Sequence, residues 1–221
     1  MKLFGEHWVT AKFSERLEAF KHGQQREIET LKFSFSASID RATKLHQREF
    51  ETLPEAWATL VTAFNSVAAF TAAFQSYADI SRMNKDDLEE FFADSDLSKS
   101  QQREIELSDD RNSAYQEVVF RIKYTKTADN LREHHLLLVK RAIFMSADLE
   151  KQFLEIGDLC WETLSEHRVK HELKEFGARP KKQEFDSTGR QLLDRLEIVV
   201  RDRLWSDVAE PAMPSNRYAL T

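Results

Sequence analysis

The sequence predicts an all-α protein: an elongated antiparallel helical bundle with a long N-terminal helix and coiled-coil-like packing. Three observations carry this. Five glycines and four prolines in 221 residues are well under half of average usage, too few for a domain built on tight turns. Apolar residues recur at spacings of three and four along most of the chain, the period of a helix face. The longest such pattern, residues 50–78, sets Phe50, Leu53, Trp57, Leu60, Phe64, Val67, Thr71, Phe74 and Ala78 in one seam, as in a helix packed against other helices.

Taken in order, Phe13, Leu17, Phe20, Ile28, Leu31, Phe35, Ile39, Ala42 and Leu45 predict one helix from about Thr10 to Glu51, roughly 60 Å long at 1.5 Å per residue. Gly23 marks the place for a bend, and Trp8 is placed to staple the helix start. Thr52 and Glu55 stand in capping-box register and Pro54 falls where a first turn tolerates it, so a second helix is expected to begin at 52 and run to 78. The two would form an antiparallel hairpin, or a bend if they continue in one direction. Only Glu55 is charged between 52 and 78, which predicts burial of most of that helix.

Residues 79–110 hold eleven acids and four bases, 4 − 11 = −7. Two short helices fit there, one capped by Asn84 and one opened by the Ser98/Gln101 capping box. They form an acidic cap that is either a solvated surface or a docking face for a basic partner. Asp109 or Asp110 starts the next long helix, with an irregularity expected between Tyr124 and Leu131. Ser146 caps another, whose stripe is Leu149, Phe153, Ile156, Cys160 and Leu164 and whose stop is Gly177. ARPKKQEFD reads as a connection, followed by an amphipathic helix through Leu193, Leu196 and Val200 and a tail after Trp205. The expected organisation is an arm at 1–51, a bundle at 52–177 and a C-terminal helix with tail at 178–221.

One cysteine, Cys160, cannot form an intramolecular disulfide. The opening residues lack a secretory apolar core, and no apolar run is long enough to cross a bilayer. The expectation is a cytoplasmic protein that binds no membrane. The blocks FETLPEAW, QSYADI, DLEEFF and IFMSADL, within residues 45–165, resemble a set of bacterial all-helical proteins; no activity, ligand or catalytic residue carries over from the resemblance.

No glycine-rich phosphate loop, GxGxxG or HExxH is present, and no cofactor is expected. His167 and His171, four apart, would share one metal ion from a single helix face, but two imidazoles leave tetrahedral zinc half coordinated. Cys160 on an apolar stripe reads as a core residue, with no base placed to activate it. Residues 167–203 hold ten bases and seven acids, 10 − 7 = +3. Arg168, Lys174, Lys181 and Lys182 are the candidates for a nucleic-acid face, and the interleaved acids weigh against it. The favoured expectation is a non-enzymatic scaffold, adaptor or regulatory subunit with a protein partner or self-association. Ile28, Leu31, Phe35 and Ile39 would be its binding surface.

Overall fold

The computed structural model describes residues 3–175 and 177–206, without the side chains of 3–15 and Ala19. The proposed staple by Trp8 and the tail after Ser206 lie outside what is described. The protein is all-α, with no strand among the described residues. Helix α1 spans Leu3–Phe70, α2 Lys85–Ala93, α3 Lys99–Glu106, α4 Arg111–Arg141, α5 Ala147–Leu173, α6 Pro180–Glu184 and α7 Arg190–Trp205. The chain divides into two compact units, Met1–Phe50 and Glu51–Thr221.

The expected break at Glu51 is absent: Pro54 lies inside α1. A proline needs only to forgo one N–H, leaving the Phe50 carbonyl without its i+4 donor, and a helix held by packing on the following turns tolerates that. Gly23 does not end the helix either. At its far end α1 stops at Phe70, eight residues before the expected 78. Gln75 there turns back, its side-chain amide donating to the carbonyls of Ala69 at 2.9 Å and Phe70 at 3.4 Å. Those carbonyls have no helical partner beyond the terminus, so the glutamine serves as a C-cap. Phe74, expected in the seam, is 95% exposed.

The second unit is built on a core shared by α1, α4, α5 and α7. Leu53, Leu60, Phe64 and Val67 meet Leu131, Phe153, Ile156, Leu164, Leu196 and Val200. Phe64 stacks on Phe185 with ring centroids 4.6 Å apart. Cross-links to α4 run from Asn130 to Ser66 (2.6 Å), from Lys123 to Gln75 (3.0 Å), and between Arg141 and Glu55.

A smaller core holds the acidic segment together, with Ile80, Leu88, Phe92, Leu97 and Ile105 packed on Val118 of α4. Asn84 and Ser98 cap α2 and α3 as expected, the latter with a complete capping box, and Asp110 caps α4. Helix α4 runs through 124–131 without interruption. Ser146 caps α5, but this helix ends at Leu173 rather than near Phe176. Lys174 adopts the left-handed conformation (φ 52°) that lets the Glu175 N–H return to the Lys170 carbonyl at 3.0 Å, so the stop comes three residues before Gly177. The expected connection is itself helical: Pro180 opens α6, whose N-terminal amides of Lys181 and Lys182 donate to Glu166, and a π turn at Phe185–Gly189 leads into α7.

Candidate functional site: an exposed helix face

Within the first unit, α1 carries large apolar side chains that stay open to solvent. Ile28 is 46% exposed, Leu31 61%, Phe35 69% and Ile39 52%. Leu17, Phe20 and Leu45 are about as exposed. At 100° per residue all seven fall within an arc of about 120°, the width of a stripe that ordinarily faces a core. Phe33 lies on the opposite side. The face therefore contains all four residues singled out from the sequence, extended at both ends by three more that obey the same spacing.

The backbone beneath this face is a poor helix former. Residues 30–39, TLKFSFSASI, consist mostly of β-branched, aromatic and serine residues, each less favourable in a helix than alanine. The hydroxyls of Thr30, Ser34 and Ser38 fold back onto the carbonyls of Arg26, Leu31 and Ser34 at 2.8–2.9 Å. This satisfies the hydroxyls locally and adds little to helix stability. Side-chain support is confined to pairs such as Asp40–Lys44 at 2.7 Å and Gln25–Glu29 at 3.1 Å.

The basic residues proposed for nucleic acid are largely engaged. Arg168 binds Glu172 at 2.7 Å and lies over the Tyr124 ring, contacts that raise its pKa further. Lys181 bridges Glu162 at 2.7 Å and Glu184 at 3.1 Å, and its pKa is raised by those bonds. Lys182 pairs with Asp186. Lys174 is exposed at the end of α5.

His167 and His171 both pack on Phe120, His171 stacked at 3.5 Å between centroids and His167 tilted at 5.7 Å. His167 also meets Phe70 edge-on. Burial, then the neighbouring Arg179, lowers the His167 pKa to about 4. Its Nδ1 accepts from the Arg179 guanidinium at 3.2 Å, and His171 Nε2 lies 3.1 Å from Glu117. The guanidinium beside Nδ1 opposes a metal cation there. Among the described residues no three His, Cys, Asp or Glu side chains converge as metal ligands. Cys160 is fully buried, and burial pushes its thiol up to about 12, so at neutral pH it is not a thiolate.

One histidine that the sequence offers only as a possible further metal ligand takes a different place. His134, on α4, is 2% exposed, with Nδ1 3.0 Å from the Thr59 hydroxyl and Nε2 without a hydrogen-bond partner. It lines a cavity of about 10 Å³ with Leu138, Gly157 and Trp161, room for one water at most. Burial lowers its pKa to about 4, partly opposed by the Phe153 carbonyl. The only sequence signal was its register with Leu131 and Leu138.

No protein-family model matches the chain, and no curated protein or solved structure is significantly similar to it. No described helix is long and apolar enough to cross a membrane.

Proposed function

We propose that the protein acts without catalysis, as a helical scaffold, adaptor or regulatory subunit that binds a protein partner or itself through the apolar face Leu17–Leu45 of α1. The supporting observation is that face: seven large apolar side chains on one stripe, each close to half exposed or more. A contiguous exposed apolar surface of this size marks a docking site. The weak helix propensity of residues 30–39 adds to the argument, because helices in proteins draw most of their stability from packing an apolar face. His167 and Cys160 fit this reading as well, since burial holds both neutral. The nucleic-acid reading has less support, with Arg168, Lys181 and Lys182 each on a carboxylate.

The test is photo-cross-linking in the native cell, with a photoreactive residue placed at Leu31 or Phe35 on the face, and at Phe33 off it. Discrete protein adducts from 31 and 35 but not from 33 are expected. Equal patterns from all three positions would remove the proposal.

A further inference from the structure

We infer that the occupant of this face is a second copy of the chain, its α1 running antiparallel, with Glu27 of each copy against Arg41 of the other. The inference rests on the docking role proposed above and names the partner.

The face has coiled-coil register. With Ile28, Phe35 and Ala42 at a positions, Leu31, Ser38 and Leu45 fall at d. One edge then carries Phe20, Glu27, Ser34 and Arg41, and the other Glu18, Gln25, Lys32 and Ile39. Antiparallel pairing sets like edges together. When Leu31 packs on Phe35 of the other copy, Ile28 meets Ser38, Gln24 meets Ala42, and Glu27 meets Arg41 twice, once on each side of the two-fold axis. The Ser38 hydroxyl, already bonded to the Ser34 carbonyl at 2.9 Å, needs no partner across the seam. Lys32 facing its own copy is the one like-charged contact, and a lysine stem reaches outward to water.

Parallel pairing is the weaker alternative. It sets Glu27 against Lys32, but it also sets Lys21, an a position, against Lys21 in the seam, where like charges are costly. Among the described residues no ion pair engages Glu27, Lys32 or Arg41, whereas Asp40 and Lys44 are already matched to each other. The area fits too. Seven large side chains exposing roughly 100 Å² each give about 700 Å² per copy, close to the roughly 800 Å² a partner contributes to a standard interface.

The experiment is sedimentation equilibrium on the full chain and on two variants, Glu27→Arg and Arg41→Glu, with circular dichroism to confirm that each is folded. The wild type should sediment as two 25.8 kDa chains. Each variant alone should dissociate about tenfold more readily, because both symmetry-related pairs become repulsive. An equimolar mixture of the two should recover wild-type affinity, since the mixed pair sets two arginines of one copy against two glutamates of the other. Rescue of Glu27→Arg by Lys32→Glu instead would overturn the antiparallel arrangement. A monomer at every concentration would overturn the second copy. Cross-links from Leu31 and Phe35 to a different protein would then keep the docking role, and loss of face-dependent cross-links would remove both.

Discussion

At the residue scale the sharpest feature is a neutral histidine inside the core. His134 has a pKa of about 4 in the fold against 6.5 for the free side chain. Between those values the unfolded chain binds a proton that the native chain does not, so stability rises with pH across that window. It is level above about pH 6.5 and falls by about 1.4 kcal/mol per unit on acidification toward pH 4 from this group. His134→Asn keeps a partner for the Thr59 hydroxyl while removing the titration. His167, lowered to about 4 as well but less buried, adds a loss over the same window that wild type and variant share. Between about pH 7.5 and about pH 5, urea unfolding should therefore show the wild type losing about 2 kcal/mol more than the variant; equal losses would mean His134 does not carry the effect. A second expectation concerns Gly189. A Cβ there would come within 3.2 Å of the Phe64 ring, and Phe64 is buried and stacked on Phe185. Alanine gains about 1 kcal/mol of helix propensity, but overpacking costs about 1–3 kcal/mol. Gly189→Ala should lower the thermal midpoint; an increase would show that the ring yields freely. His134 was illegible in the sequence because an apolar stripe marks which side a residue faces, not whether its ring nitrogens find partners. Gly189 carried no signal either, its neighbour being 125 positions away.

Helix starts and helix ends differ in how far the sequence discloses them. Asn84, Ser98, Asp110 and Ser146 cap where their side-chain chemistry says they should, because an N-cap bond closes within three residues and needs nothing from the rest of the fold. Stops depend on more. Gln75 ends α1 by reaching back five and six residues, and Lys174 ends α5 by taking a left-handed conformation that glycine was better suited to supply. The start expected at Thr52 is instructive, since a proline at N1 and a proline inside a helix look alike over a few residues. The apolar residues upstream hold one helical face from Leu17 to Leu45, with Gln24 and Ser38 interrupting the seam. Substitution tells the two cases apart. Pro54 is exposed, so Pro54→Ala loses no packing. In a helix interior it should stabilise by about 2–2.5 kcal/mol, the roughly 3 kcal/mol cost of proline less the unfolded-state entropy that proline removes. At a helix start it would give no gain. Phe33 adds a further point at this scale. Leu31, Phe33, Phe35, Ala37 and Ile39 alternate with polar residues, which is also the period of a strand. The helix puts Phe33 opposite the other large side chains and leaves it 78% exposed.

For the whole molecule, the distribution of buried apolar residues decides what each unit does. Every buried apolar residue among those described lies at Leu53 or beyond, and all but Ala142 belong to the two cores of the second unit. The all-α class was legible because periodicity reports it directly; the extent of the exposed face was not, because the same spacing serves a face turned to a core and a face turned to a partner. Fragment 51–221 should therefore fold alone, with a cooperative thermal transition within a few degrees of that of the full chain, since no core side chain is deleted. Failure to fold would make residues 1–50 part of the core. The first unit has no buried apolar set to hold it among the described side chains, and a helix with poor intrinsic propensity is marginal in water by itself. If it is held by a second copy, folding and association are one equilibrium, and the helix becomes concentration-dependent by mass action. Dilution of the full chain below its dissociation constant should then lower the far-ultraviolet helical signal in step with the loss of dimer mass, while the signal of fragment 51–221 stays constant. A full-chain signal that holds through dissociation would show that α1 persists unaided, and would separate the helix from the association that its apolar face supports.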